Sequence, residues 1–349
     1  MTASSSTSRV KSMTDAQFNQ LRKIVYDRAG IHFQDSKKYV LESRLARRVE
    51  ELDFDSFDQY LMFLTAGPYQ MDEFQEMFNR ITINETSFFR NEPQLDAFER
   101  QILSNLLEAR SKTKTLRIWS AACSSGEEPY TLAMQVHRSL GVRLPDWRIE
   151  ILGTDISEKV LMQAQSGVYG HYAVRSVSPM ILSRYFKQEG NQYILDPTIK
   201  SMVHFEKLNL KDRIAAKRFG KFDIIFCRNV LIYFDDQMRQ QVVKTYHDQL
   251  ADDGTLLIGH SESLRNLDVA FEPLSIPQAF AYQKAFGNSG ASDAKAAAKS
   301  AFGASGAAAK PSAFAAKPPA SSFGKPGTPP GTTPGAPRFQ GLGKLGGGA

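Results

Sequence analysis

Residues Leu116 to Met134 read LRIWSAACSSGEEPYTLAM. The stretch is an apolar strand, then a turn of small residues, then a helix that opens on two acids. A turn of this kind lies at the carboxyl end of a strand, where doubly wound sheets bind ligands. Ser120-Ala121-Ala122 lets a ligand approach the backbone, Gly126 permits a tight turn, and the helix that follows offers free N–H groups. The turn holds no Lys, no Arg and no run of three glycines. A bare helix N-terminus favours anions, but Glu127 and Glu128 are expected to satisfy its donors internally and to repel phosphate. A sulfonium or ammonium is tolerated there, which points to S-adenosylmethionine (SAM). The alternative is that both acids are ordinary first-turn residues, and for one of them that reading holds.

Beyond this turn, short apolar runs alternate with amphipathic stretches. The runs are 148–155 (RIEILGTD), 203–210 (VHFEKLNL), 222–227 (FDIIFC), 255–261 (TLLIGHS) and 280–286 (FAYQKAF). Helical patterns cover 127–140, 157–165, about 212–219 and 235–250. The alternation predicts an α/β fold with a parallel, doubly wound sheet over 113–286. Residues 167–202, with three glycines and two prolines, are too long for one crossover and predict an insert subdomain. Upstream, Phe18, Leu21, Ile24 and Val25, then Val40, Leu41, Leu45 and Val49, then Phe57, Tyr60, Leu61 and Leu64 recur at helical spacing, with Gly30 and Gly67-Pro68 as punctuation. They predict a helical domain over 13–80, capped at its start by Thr14 or Asp15. Residues 81–112 read as a linker and connecting helix. The polar lead 1–12 and the Ala/Gly/Pro/Ser-rich tail 287–349 are expected to be disordered, because neither buries enough apolar surface to offset chain entropy.

The formal charge of +6 suggests nucleic-acid binding, but its distribution argues against that. Seven of the 43 basic residues and one of the 37 acids lie from Gly287 onward, so the preceding 286 residues are formally neutral. No apolar run reaches the roughly 20 residues that span a bilayer, and the N-terminus lacks a secretory h-region. Two distant cysteines, Cys123 and Cys227, fit a reducing cytoplasm. The six histidines show no ligand-type pairing, so no metal is expected.

Other candidate residues fall at strand ends. Asp155 closes the second strand, 27 residues past Glu128, where an acid accepts hydrogen bonds from ribose hydroxyls; it could equally cap the next helix. Asn209 ends the third run; its amide could read an adenine edge, or it is a turn residue. Arg228-Asn229 leave the buried fourth strand, followed by Tyr233, whose ring could be core. Between the domains, Asn84, Thr86 and Arg90 lie in ITINETSFFR, where Arg90 suits a bidentate grip on a carboxylate or a structural ion pair.

ITINETSFFR, IWSAACSSGEEPYTLAM, GTDIS, NL and FDIIFCRNVLIYF, in this order over about 14–286, resemble the chemotaxis-receptor methyltransferase family, CheR. The resemblance implies a SAM-dependent protein-glutamate O-methyltransferase with a helical N-terminal domain, a Rossmann-like SAM domain and a small antiparallel insert. It carries the cofactor pocket onto Asn84, Thr86, Arg90, Glu128, Asp155, Asn209, Leu210, Arg228 and Asn229, with Arg90 on the methionine carboxylate and Asp155 on the ribose. It suggests that Arg44, Arg47 and Arg48 face acidic receptor helices, whose charge would speed encounter; otherwise they are a solvated basic face. It implies a cytoplasmic, monomeric enzyme that is not inserted in the membrane and binds chemoreceptor cytoplasmic helices. In some members the insert docks a receptor C-terminal peptide; here it is compact and not Gly-rich around Gly190. The 287–349 tail has no counterpart in the family core.

The acceptor glutamate is already ionised at pH 7, so no strong general base is needed. Alignment and exclusion of water remain, and Arg228 or Tyr233 is expected to orient the carboxylate. Two alternatives keep the fold but change the role: a SAM-binding regulatory or adaptor protein, and a methyltransferase acting on a signalling protein outside chemotaxis. An NAD-dependent oxidoreductase would need a G-x-G-x-x-G that SAACSSGEE lacks. Gly259-His260-Ser261-Glu262-Ser263 superficially matches a hydrolase nucleophile elbow but lacks its second Gly.

Overall fold

The computed structural model describes residues 12–66 and 70–285. The lead, Gly67-Pro68 and the tail lie outside these, apart from Ser12. Helices α1 (Asp15–Ala29), α2 (Lys38–Glu51), α3 (Phe57–Ala66) and α4 (Gln70–Ile81) form the N-terminal part. Thr14 caps α1 in a capping box with Gln17. The periodic positions other than Val40 meet in one core, where Leu21, Val25, Leu41, Leu45, Val49 and Tyr60 are fully buried. An extended segment then leads into α5 (Glu92–Ala97), which runs through a π-helical turn, Phe98–Leu103, into α6 (Ser104–Ala109).

The second part holds β1 (Thr115–Ala121), α7 (Glu127–Leu140), β2 (Arg148–Asp155) and α8 (Glu158–Ser166). The insert follows: β3 (Val168–Gly170), α9 (Pro179–Tyr185), β4 (Phe186–Glu189), β5 (Gln192–Leu195) and α10 (Pro197–Ser201). Its strands form a separate antiparallel sheet in the order β3-β5-β4. The main chain resumes with β6 (Val203–Lys207), α11 (Arg213–Lys217), β7 (Phe222–Cys227), α12 (Asp236–Gln249), β8 (Leu250–Ile258), β9 (Phe271–Pro273) and β10 (Ala281–Lys284).

The seven-stranded sheet has the order β6-β2-β1-β7-β8-β10-β9. The five strands from β6 to β8 are parallel, as the alternation requires, and β10 and β9 are antiparallel. The expectation of an all-parallel sheet therefore fails at one edge. FAYQKAF has no helix before it, so it returns beside β8 without a crossover. Apolar clusters cover both faces: Ile118 and Phe226 pack on one side, Trp119, Ile225 and Tyr246 on the other. Such two-sided burial explains why FDIIFC is apolar except for Asp223, whose buried carboxylate pairs with Arg110 at 2.8 Å and accepts the Arg117 N–H at 2.8 Å. The order in which strands are added reverses between β1 and β7, with β2 and β6 on one side and β7 and β8 on the other. The register aligns Ala121 with Thr154 and with Cys227, so the carboxyl ends of β1, β2 and β7 share one edge. Among the described residues no helix is long and apolar enough to cross a membrane.

Candidate active site

A cleft opens at this edge and has two joined compartments. The inner one is lined by Thr86, Arg90, Glu128, Thr131 and Arg228. The outer one, about 390 Å³, is lined by Asn84, Asp155, Ile156, Leu208, Asn209, Leu210, Val230 and Tyr233. Ile83, Ala122, Ser124 and Asn229 border both. The cofactor-pocket candidates thus all reach one cleft, because the parallel register brings four strand ends together.

The opening turn is tightly wound. Ala122 (φ 59°), Ser124 (φ 51°) and Gly126 (φ 90°) are left-handed, a conformation that costs non-glycine residues about 1 kcal/mol or more each. Asp155 helps hold it: Oδ2 accepts the Ser124 N–H at 2.9 Å and Oδ1 the Ser157 N–H at 3.0 Å. Burial pushes the Asp155 carboxyl up, and these backbone donors pull it back. The next helix is capped by Ser157, not Asp155. Asp155 therefore braces the turn and lines the cavity at once.

The two acids do not serve the helix N-terminus as expected. Gly126 stands at the N-cap of α7 and supplies no side-chain cap. Glu128 instead accepts the Ser120 hydroxyl at 2.6 Å and the Arg228 Nη1 at 3.1 Å. Glu127 is buried, with the Ser125 hydroxyl at 2.8 Å, and burial raises its carboxyl. Glu128 lines the cleft and Glu127 does not.

Arg228 is buried, and that burial lowers its pKa against the opposing pull of Glu128. Its Nη2 donates to the Arg90 carbonyl at 2.6 Å, which ties the 83–90 segment to the strand end. The segment is also held by Phe88 N–H on the Ala173 carbonyl (2.9 Å), Phe89 N–H on Thr131 Oγ1 (3.2 Å) and Ser124 Oγ on the Asn84 carbonyl (3.2 Å). Phe89 (φ 54°) and Asn91 (φ 63°), both left-handed, flank Arg90 and turn it into the inner compartment.

The helical domain supplies the remaining wall. Ala29, Ile31, His32, Phe33, Val40 and Arg44 line the outer compartment. Ile31 bridges Phe234, and the His32 N–H donates to the Tyr233 carbonyl at 2.8 Å. Asn209 is spent on this joint: Nδ2 donates to the Arg28 carbonyl at 2.6 Å and Oδ1 accepts the Lys211 N–H at 3.0 Å. Its amide is thus a turn and a latch to α1 rather than a free reader of an adenine edge. Lys211, which sequence reasoning missed, donates Nζ to the Tyr26 and Asp27 carbonyls at 2.9 and 2.6 Å.

Arg44, Arg47 and Arg48 do not form one outward strip. Arg48 grips Glu73, buried beneath it, with Nη2 to Oε2 at 2.6 Å, and Tyr60 donates to the same carboxylate at 2.8 Å. Arg44 Nη1 caps α4 through the Ile81 and Thr82 carbonyls at 2.6 and 3.1 Å. Arg47 stays exposed beside Glu51. The cause is the Arg spacing: positions 44 and 48 lie on the α2 face that packs on α4.

A doubly wound domain whose switch-point cleft is completed by a helical domain defines a class: a nucleoside-binding enzyme that encloses its ligand between two parts of the chain. Residues 84–280 match the family described as CheR methyltransferase, SAM binding domain, and residues 16–82 match the CheR methyltransferase all-alpha domain. The chain is 34% identical to chemotaxis protein methyltransferase 2 of Vibrio cholerae, over 78% of this chain and 94% of that one. It is 37% identical to the chemotaxis protein methyltransferase of Borreliella burgdorferi, over 72% and 90%. It is 36% identical to that of Escherichia coli, over 74% and 88%. The chain belongs to the CheR methyltransferase family, and residues 84–280 are its SAM-binding domain.

Proposed function

We propose that this protein acts in the cytoplasm and transfers the methyl group of SAM to glutamate side chains on the cytoplasmic helices of chemoreceptors. One observation carries the reading: a charged inner compartment opens into an apolar outer one, matching a ligand with an amino-acid end and a nucleoside end. The residues fit such a ligand. Arg228, which lines the inner compartment, keeps its buried Nε without a hydrogen-bond partner. Arg90 would hold the carboxylate and Glu128 the ammonium. Asp155 would take the ribose, and Ile156, Leu208, Leu210 and Val230 the adenine. When bound, SAM supplies an electrophilic methyl group.

The chain's own task is to present an ionised carboxylate and to keep water out. Of the two orienting candidates, Tyr233 fits better. Arg228 is engaged by Glu128 and the Arg90 carbonyl, whereas Tyr233 lines the outer compartment and its hydroxyl makes no hydrogen bond among the described residues. Burial raises the Tyr233 pKa above its ordinary 10, partly offset by Arg44 and Arg90, so the hydroxyl stays a donor at neutral pH. Arg44 and Lys37 at the mouth supply positive charge for an acidic helix.

The test is methyl transfer from labelled SAM to purified receptor, with mass spectrometry to locate glutamyl esters. Tyr233→Phe should lower turnover at saturating SAM on the order of tenfold to a hundredfold. Normal turnover in both Tyr233→Phe and Arg228→Ala would remove the assignment.

A further inference from the structure

Glu262 belongs to the GHSES stretch that superficially resembled a nucleophile elbow, and its carboxylate does something else. It is buried and accepts four backbone N–H groups. Oε1 takes those of Val230 and Leu231 at 2.9 and 2.8 Å. Oε2 takes those of Asn229 and Gly259 at 2.9 and 2.6 Å. Three of the donors are consecutive and lie between Arg228 and Tyr233. The first belongs to Asn229, whose φ of 60° is left-handed. A chain leaving β7 in that conformation turns sharply, and its N–H groups then converge on a single point, which an anion must fill. The short 3-10 turn Leu231–Tyr233 starts where the nest ends. Room for the carboxylate depends on Gly259: a Cβ there would lie 2.7 Å from Glu262 Oε2 and 3.0 Å from the Asn229 nitrogen.

We infer that Glu262 is a positioning residue for the methyl transfer: it fixes the backbone of Asn229–Leu231 and thereby aims the Tyr233 hydroxyl into the outer compartment. The inference rests on the reading of Tyr233 given above. Only an acceptor with two oxygens can serve four converging donors. A glutamine has one, and its amide would set N–H against N–H, leaving two or more donors unmet.

The experiment uses the full-length protein with purified receptor and labelled SAM. It compares Glu262→Gln, Gly259→Ala, Tyr233→Phe and the Glu262→Gln/Tyr233→Phe pair. Turnover at saturating substrates, SAM affinity by calorimetry and the melting temperature are read for each. Glu262→Gln and Gly259→Ala should each lower kcat by about fivefold or more, with the SAM Kd within about threefold of the parent. The double variant should be no slower than the slower single one, because Glu262 acts through Tyr233. Gly259→Ala attacks the same contact from the other side and keeps the test alive if Glu262→Gln does not fold. A Glu262→Gln enzyme with parental kcat beside a slow Tyr233→Phe enzyme would overturn the inference, as would additive losses in the pair or a parallel fall of kcat, affinity and stability. Parental kcat in Tyr233→Phe would strike the earlier reading, and this one with it.

Discussion

Glu127 and Glu128 are neighbours in sequence with opposite surroundings. Glu128 reaches the cleft with Ser120 and Arg228, and Glu127 sits beneath the turn on Ser125. Glu128→Gln should therefore weaken SAM binding by about tenfold, roughly 1.4 kcal/mol, in calorimetry. Glu127→Gln should leave affinity near parental, because Glu127 lines neither compartment and its carboxyl serves Ser125 beneath the turn. Two histidines give a pH dependence. Burial, aided by Arg184 for His137 and by Lys284 for His247, holds both below the usual histidine value. The unfolded chain then binds protons more readily than the folded one. Stability should be whole above about pH 6.5 and should fall as pH drops from there towards the lowered folded values. Urea midpoints across that window check this, and His137→Gln/His247→Gln should flatten the slope. At this scale the sequence marked the residue types in SSGEEPY and CRN but not their partners. Nothing in GHSES announces a carboxylate for a backbone nest, since its four donors lie in two separate segments.

Elements were more legible than contacts. The amphipathic spacing of α1 and α2 and the apolar runs of β1, β2, β6, β7 and β8 follow directly from burial on one face or on both. The three-residue β9 and the reversal of β10 were not legible, because a short edge strand carries almost no periodicity. The joint between α1 and the strand ends was also hidden. The last carbonyls of α1 are satisfied by Asn209 and Lys211, some 180 residues away. A cation at a helix C-terminus is worth up to about 1 kcal/mol, and here it also sets one wall of the cleft. Lys211→Met should lower the melting temperature by a few degrees and weaken SAM binding by about threefold, whereas Lys217→Met, in the last turn of α11, should leave affinity unchanged.

Across the whole molecule, the cleft belongs to neither part alone. The 29–34 loop, the 81–90 segment and the ends of four strands each contribute a wall. Ligand that binds only the joined form should stabilise both parts together, by about 2.7 kcal/mol at a hundred times its Kd. Amide exchange in 28–34 and in 229–234 should slow in parallel when SAM is added. Slowing confined to 229–234 would show that the helical domain is not part of the site. The sequence by itself determined the alternation of strands and helices, the helical domain and the residue types at the strand ends, because periodicity and turn chemistry are local. Only the tertiary structure decided that Asn209 and Lys211 serve α1, that Arg44 and Arg48 serve α4, and that Glu262 holds the turn before Tyr233. Each of these depends on which distant backbone groups needed a partner once buried, and burial is a property of the packed chain.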